Sequence, residues 1–458
     1  MMRIQKKKIL LFVGDILFIF FAFFISPPLK LGEFIWNFNA TYWTLSTGYF
    51  ILTVYLIIFF LADLYNVNSL PTDKRYLFRL FSAICIAAGI QTGFFFMIPE
   101  LRSSRGIFVV NTGVVTLLSF FWRLIFEQLF KNVLRRKKNV LIIGGNPGGI
   151  LLYKTIQDSP NYRPLPFMLG DSSIKKRSRE IPKIIQKSNQ LPEIVKSNFV
   201  QVIVIAEDKK ITPSLTNSVL SCKLRGVEIY EMPEFYELLT GMIPVNHISH
   251  QWFISSQLSG VEKSIYNIRI KRVIDLTLSS IGLVVSSPVM LLVILLIKLS
   301  SPGPAIFRQS RIGLYGTPFF LYKFRTMTNN TGNKKTTAKD RENRITWIGK
   351  ILRHTRFDEI PQMWNVLKGE MSFIGPRALM KEEVKIFESK VPYFPIRHSV
   401  RPGITGWAQV NYKHGPSLKD ALEKIKYDLY YIKNLSLLLD MDILLKTIKV
   451  VLYGKGAS

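Results

Sequence analysis

Four apolar runs in the first third of the chain limit its fold more than any other feature. They cover roughly 9–27, 43–65, 77–98 and 106–128, each near the ~20 residues a helix needs to cross the hydrocarbon of a bilayer. Buried core helices are the alternative for such runs. The first run follows "RIQKKK" and lacks a small-residue cleavage site. It reads as an uncleaved span rather than a signal peptide. Basic residues flank the runs at "MMRIQKKK", at Lys74 and Arg75, and at "RRKK" (135–138). By the bias of Lys and Arg toward the cytoplasm, both ends of a four-span bundle over 1–136 face that side. Arg102 and Arg105, between the third and fourth runs, go against the pattern.

Charge narrows the partners. Of 458 residues, 61 are Lys or Arg and 31 are Asp or Glu, a formal charge of +30. That excess suits nucleic acid, acidic headgroups or phosphorylated substrates. With 48% hydrophobic residues the chain is too apolar for a nucleic-acid binder and fits a basic membrane protein with no nucleic-acid partner. The length implies two or three domains. Cys85 and Cys222 are the only cysteines, far apart, and read as packing residues rather than a disulfide or zinc framework.

"NVLIIGGNPGGILLYKTI" (139–156) reads as strand, glycine turn and helix, and "FVQVIVIAED" and "VEIYEMPEF" as further strands. This alternation predicts a small Rossmann-like α/β domain over 137–250, followed by a linker over 251–264. The dinucleotide fingerprint is incomplete, because Asn146 stands where the middle glycine would let a pyrophosphate approach. Asp171 in "MLGDSS" is not a clear ribose ligand, so a structural or regulatory role is the expectation.

A fifth apolar run, about 281–299, carries Ser286, Ser287 and Pro288 near its middle. Proline removes a helical hydrogen bond, and a neighbouring serine can serve the freed carbonyl. The basic sequence that follows opposes translocation. A kinked helix that enters and leaves one leaflet, about 272–300, fits both facts. A straight fifth span is the other reading.

Asp358 and Glu359 lie in "LRHTRFDEIPQMWNVLKG". Thr355 with Asp358 matches a helix-start pattern, which would make the pair capping carboxylates. Yet Arg353 precedes them, and Lys323, Arg325, Arg377 and Arg401 sit in apolar, turn-rich sequence that could aim cations at phosphate. Many phosphate-type cations around one acidic pair suggest phosphoryl transfer, with the carboxylates as nucleophile or as Mg²⁺ ligands. No Walker A or kinase signature is present.

Four stretches carry a family resemblance: "KRVIDLTLSSIGLVVSSPVM", "SPGPAIFRQSRIGLYGTPFFLYKFRTM", "LRHTRFDEIPQMWNVLKGEMSFIGPRAL" and "VRPGITGWAQVNY". Together they resemble the bacterial sugar transferases, the polyprenyl-phosphate hexose-1-phosphate transferases. The whole chain looks like the long members that start exopolysaccharide or O-antigen synthesis. The resemblance implies a mainly helical monotopic catalytic domain over 265–458, at the bacterial inner membrane and facing the cytoplasm. It implies transfer of sugar-1-phosphate from a UDP-sugar to undecaprenyl phosphate, with release of UMP. Asp358 would be the nucleophile, and Glu359 would bind Mg²⁺ or assist proton handling. Arg353, Arg377 and Arg401 would bind phosphates. Lys271, Arg272 and Asp275 would start the re-entrant helix, and Ser287-Pro288 would break it. Long members also imply a homodimer through the membrane and α/β regions.

The family often has an acidic residue soon after "KFR-x-M", whereas "TNNTGNKK" follows here, and Ala378 stands where proline is frequent. Two other readings compete. A membrane-anchored nucleotide-sugar dehydratase or epimerase would need an intact fingerprint and a Tyr-x-x-x-Lys pair, which are missing. A non-catalytic scaffold would have no need of the acidic pair.

Overall fold

This computed structural model describes residues 2–32, 45–62, 64–65, 74–98, 104–134, 137–165, 167–169, 183–185, 190–206, 212–248, 250–262, 264–328, 344–412, 415 and 417–452. They group into two units, Met1–Glu231 and Met232–Ser458.

The apolar runs of the first unit are helices: α1 (Met2–Leu31), α2 (Leu45–Leu61), α3 (Lys74–Met97) and α4 (Arg105–Leu134). Stretches of α1, α3 and α4 are long and apolar enough to cross a membrane. At 17 residues, α2 is shorter than the predicted 43–65 and lies at the lower limit for a span. Ile19, Phe23, Ile51, Phe59, Ala87, Val115 and Phe126 fill the seams between helices. Phe78, Phe81, Leu117 and Phe121 face outward, a surface suited to lipid rather than water.

Asp15 on α1 and Arg123 on α4 are both fully buried. The guanidinium forks onto both carboxylate oxygens, NH2 to Oδ2 at 2.9 Å. Unpaired, either charge would cost several kcal/mol in such surroundings. Together they fix the register of α1 on α4. A Cβ at Gly14 would overlap the Trp122 ring, so glycine is what lets Trp122 Nε1 donate to Leu11 O at 3.2 Å.

The α/β part of this unit holds β1 (Lys138–Ile143), α5 (Pro147–Gln157), β2 (Tyr162–Pro164), β3 (Phe167–Leu169), β4 (Lys183–Ile185), α6 (Leu191–Ser197), β5 (Val200–Ile205), α7 (Pro213–Leu224) and β6 (Glu228–Glu231). Its sheet is parallel throughout, ordered β4-β3-β1-β5-β6, with β2 also on β1. The last four residues of β1 are buried, as expected for a parallel strand covered on both faces. Asn146 is the N-cap of α5; its side chain accepts from Gly149 N at 2.8 Å. Asp171 lies outside the described residues.

The predicted strand "VEIYEMPEF" is only half a strand. After Glu231 the chain turns into α8 (Met232–Thr240), which belongs to the second unit. Buried Glu237 accepts from Lys433 Nζ at 2.6 Å and from Asn434, and Gly241 O accepts from Trp407 Nε1 at 2.8 Å. The segment expected to be a linker is also packed. It includes α9 (His250–Ser255), and Ser259 and Gly260 donate backbone N–H groups to Lys433 and Ile432 carbonyls.

A π-helical turn (Tyr266–Ile270) leads into α10 (Lys271–Ser300), 30 residues of continuous helix with Pro288 inside it, so the break expected at Ser287-Pro288 is absent. Pro288 cannot serve the carbonyl four residues back, Val284 O. The Ser287 hydroxyl donates to it instead, at 2.8 Å. Both ends of α10 rest on the same domain. Asp275 accepts from Ser372 Oγ and Phe373 N, each at 3.0 Å, while Val293 and Ile297 pack with Phe324, Ile348 and Leu352. Val284, Val285, Leu291 and Leu299 are exposed.

The rest of this unit is an antiparallel hairpin, β7 (Ile306–Ile312) with β8 (Pro318–Phe324), then α11 (Trp347–Thr355), α12 (Gln362–Lys368), β9 (Ser372–Ile374), α13 (Lys381–Glu388), β10 (Gly403–Thr405), α14 (Trp407–Asn411), α15 (Leu418–Lys433) and α16 (Leu437–Leu452). Strands β9 and β10 pair in parallel. A Cβ at Gly403 would overlap the Gly375 backbone, which explains glycine in "RPGITG" and brings the Arg377 and Arg401 turns together. The core gathers Trp407, Ile425, Leu429, Tyr430 and Tyr431. Asp440 ties it to α10, accepting from Tyr266 OH (2.5 Å), Lys271 Nζ (2.6 Å) and Tyr431 OH (2.9 Å).

Candidate active site

The acidic pair does not start a helix. α11 ends at Thr355, whose hydroxyl donates back to Ile351 O at 2.9 Å. Arg356 is left-handed, φ 61°, and reverses the chain, a conformation a non-glycine residue holds at a cost of order 1 kcal/mol. Asp358 and Glu359 then sit on a 3₁₀ turn, Phe357–Glu359, and α12 begins only after Pro361, with no side-chain cap. The capping pattern matched in letters but not in geometry.

Lys323, near the end of β8, reaches the pair asymmetrically. Its Nζ is 2.7 Å from Glu359 Oε1 and 3.9 Å from Asp358 Oδ2. Arg377 NH2 stands 3.5 Å from the same Glu359 oxygen. Both carboxylates are mostly buried, with side-chain exposures of 12% and 11%. Burial raises Asp358 above the ordinary carboxyl range, against the lowering effect of Lys323, Arg356 and Arg353. Burial would raise Glu359 too, but Lys323 and Arg377 outweigh it and hold that carboxyl at about 2. A helix start would have favoured the charge on Asp358; the surroundings it has instead disfavour it. Among the described residues its carboxylate accepts no hydrogen bond.

The other sequence-predicted residues divide by what their side chains bind. Arg353 Nε donates to Thr326 Oγ1 at 3.0 Å and acts electrostatically on Asp358. Arg401 Nε donates to Gly369 O at 2.9 Å; its terminal nitrogens are unbonded among the described residues. Arg272 donates to Val366 and Leu367 carbonyls at 2.6 and 2.8 Å, capping the end of α12. Arg325 is buried and donates to Ser301 O at 2.6 Å and Pro302 O at 2.9 Å. It holds the turn after α10 and is not turned toward the pair. Lys271, Asp275, Ser287 and Pro288 are the α10 contacts described above. "TNNTGNKK" past Thr328 lies outside the described residues.

Reading the sequence missed a buried pair behind Arg377. Arg397 bonds Asp428 at 3.0 Å and donates to Arg377 O at 2.9 Å. It also missed Asp440. The available signal was a carboxylate set in an apolar helical stretch, Asp428 in "KYDLYYI" and Asp440 in "LLLDMDILL".

A family model described as "Bacterial sugar transferase" matches residues 266–454, and one described as "CoA-binding domain" matches 60–232. The chain is 38% identical to a UDP-N-acetylgalactosamine-undecaprenyl-phosphate N-acetylgalactosaminephosphotransferase of Aeromonas hydrophila, over 58% of this chain and 62% of the relative. It is 40% identical to a UDP-glucose:undecaprenyl-phosphate glucose-1-phosphate transferase of Xanthomonas campestris, over 44% of this chain and 43% of the relative. The match thus spans less than two thirds of either relative's length. A UDP-glucose:undecaprenyl-phosphate glucose-1-phosphate transferase of Klebsiella pneumoniae is 30% identical over 76% of this chain and 74% of its own length. The chain belongs to the bacterial sugar transferase family.

Proposed function

We propose that this protein transfers a sugar-1-phosphate from a UDP-sugar to undecaprenyl phosphate at the cytoplasmic face of the bacterial inner membrane. The observation that carries the reading is the divided acidic pair: Glu359 takes the cations, and Asp358 is buried beside it without a hydrogen bond. A carboxylate so poorly solvated is a stronger nucleophile than one in water. The relatives' names supply the substrate pair.

In the first step an Asp358 oxygen attacks the β-phosphorus. The bond from that phosphorus to the bridging oxygen breaks, and its electron pair leaves with UMP. A phosphate oxygen of undecaprenyl phosphate then attacks the same phosphorus. The bond to Asp358 breaks and the carboxylate is restored. Both substrates are anionic, so Lys323, Arg377, Arg353 and the free end of Arg401 lower the repulsion between them. Among the described residues no cluster of three or more His, Cys, Asp or Glu forms an all-protein metal cage. The adjacent carboxylates do fit the mode in which magnesium takes one or two carboxylates plus substrate phosphates. Glu359 and Asp358 would hold Mg²⁺, which when bound neutralises phosphate charge.

We read α10 as re-entrant. Contacts of its two ends with one domain support this, since a straight span would carry one end away. The parallel sheet we read as a Rossmann-like structural or regulatory domain. Its glycine turn has Asn146 already holding the Gly149 N–H. A second copy of the chain is the expected partner. The test is UMP release by the full-length protein with undecaprenyl phosphate and a panel of UDP-sugars. Release with at least one sugar is expected, and its loss in Asp358→Asn. Full activity in that variant would remove the nucleophile assignment, and no release with any sugar would remove the function.

A further inference from the structure

Arg377, which reaches Glu359, also lines a cavity walled by Leu379, Phe387, Phe394, Ala408 and Ile425. The two phenylalanine rings stand 5.7 Å apart at 58°. Most polar groups around this space are already engaged with one another. Tyr412 and Ser417 hydroxyls bond Asp420, and Arg397 bonds Asp428. A hexose carries a hydroxyl on nearly every carbon and would find few open partners on such a wall. A flat base with a few polar atoms on one edge needs fewer.

Two groups of the cavity lining keep unused bonding capacity. Gln409 donates its Nε2 to Ile404 O at 2.9 Å, which fixes the orientation of the carboxamide. Its Oε1 is buried and has no hydrogen-bond partner among the described residues. Lys424 gives one proton to Gly415 O at 2.7 Å and keeps two. The unused set is thus one acceptor that cannot become a donor, and a cation that can serve a carbonyl.

Resting on the UDP-sugar reading above, we propose that this cavity is the subsite for the uracil base and that Gln409 selects it. Arg377 joins the two places, on the phosphates at one end and at the base cavity at the other. Uracil offers an N3–H donor to Gln409 Oε1 and a ring carbonyl to Lys424. Cytosine has a bare acceptor at N3, so it would face Oε1 acceptor to acceptor and leave both unpaired. A site built around such a bond rejects the ligand that cannot make it.

The test is equilibrium binding of UMP and of CMP to the full-length protein in detergent, independent of turnover. Wild type should bind UMP at least roughly tenfold tighter than CMP, the factor one lost buried hydrogen bond sets. Gln409→Leu should lower UMP affinity to that of CMP, while Gln409→Glu, which keeps an acceptor, should retain the preference. Equal wild-type affinity for UMP and CMP would overturn the proposal without any variant. So would unchanged UMP affinity in Gln409→Leu with a raised KM for the nucleotide sugar, which would give the cavity to the sugar. Failure to release UMP from any UDP-sugar would sink the parent reading instead, and binding of UMP over CMP would still report on the cavity.

Discussion

Two buried carboxylates in this chain meet opposite fates. Asp15 has a guanidinium on both oxygens and nothing left to offer. Asp358 has its nearest ion-pair partner 3.9 Å away, because Lys323 sits closer to Glu359. In the first case a charge is buried and quenched, which holds two helices in register. In the second the cation is lent to the neighbour, and the remaining carboxylate stays under-satisfied beside Lys323 and Glu359. A buried charge is quenched or left under-compensated according to which atom its partner faces.

That contrast breaks first at Asp358. Asp358→Asn should lower UMP release on the order of 10⁴-fold, as loss of a nucleophile does. Melting should stay at or above the wild-type temperature, since a poorly compensated buried charge has been removed. A variant that loses stability along with activity would make Asp358 another Asp15. The reverse experiment is Asp15→Asn. It strands Arg123 in an apolar seam and should cost about 3–5 kcal/mol of stability, read by thermal or denaturant unfolding in detergent, with UMP release per folded molecule unchanged.

Lys323→Met sharpens the comparison by taking the shared cation away. Turnover should fall by about 10²-fold, the usual loss for one electrostatic group at a reacting phosphate. The pH profile carries the more specific information. Asp358 must be ionised to attack, so activity is lost as pH falls through its raised pKa. Lys323 favours the ionised form, so its removal raises that pKa further and moves the acid limb to higher pH. Glu359, held at about 2, stays ionised across the accessible range and contributes no limb. An acid limb that shifts down in Lys323→Met would contradict the assignment.

The apolar helices, the parallel strands and the acidic pair set among cations were legible because each rests on local pattern: run length, strand–turn–helix alternation, adjacent letters. The cations were only half legible. Arg325, Arg401 and Arg377 sit at turns and Arg272 in the first turn of α10, places from which a guanidinium can aim equally well at phosphate or at a carbonyl. Only tertiary placement shows that Arg272 and Arg325 serve helix-end carbonyls, whereas Arg377 meets Glu359. Lys271 finds Asp440 across 169 positions, a partner no spacing rule proposes. The Thr355 pattern misled because a capping motif specifies letters, and the left-handed Arg356 had already ended one helix before the next began. At Ser287 and Pro288 the service of a freed carbonyl by a neighbouring serine was legible, since both groups are set by local geometry, whereas the helix runs on through Pro288 without the expected break.

The smallest effect concerns the other phosphate-like feature, the glycine turn. Asn146 Oδ1 takes the Gly149 N–H that an anion at the α5 N-terminus would use. If that turn is structural, Asn146→Ala removes only a cap and should cost about 1 kcal/mol, seen as a modest drop in melting temperature. UMP release should be unchanged. If the turn instead holds a phosphate ligand that Asn146 screens, Asn146→Gly would restore the fingerprint's middle glycine and create measurable nucleotide binding in a full-length protein that also carries Asp358→Asn. No gain of binding over the Asp358→Asn background keeps the two regions distinct: one turn closed on its own side chain, the other held open by giving its cation away.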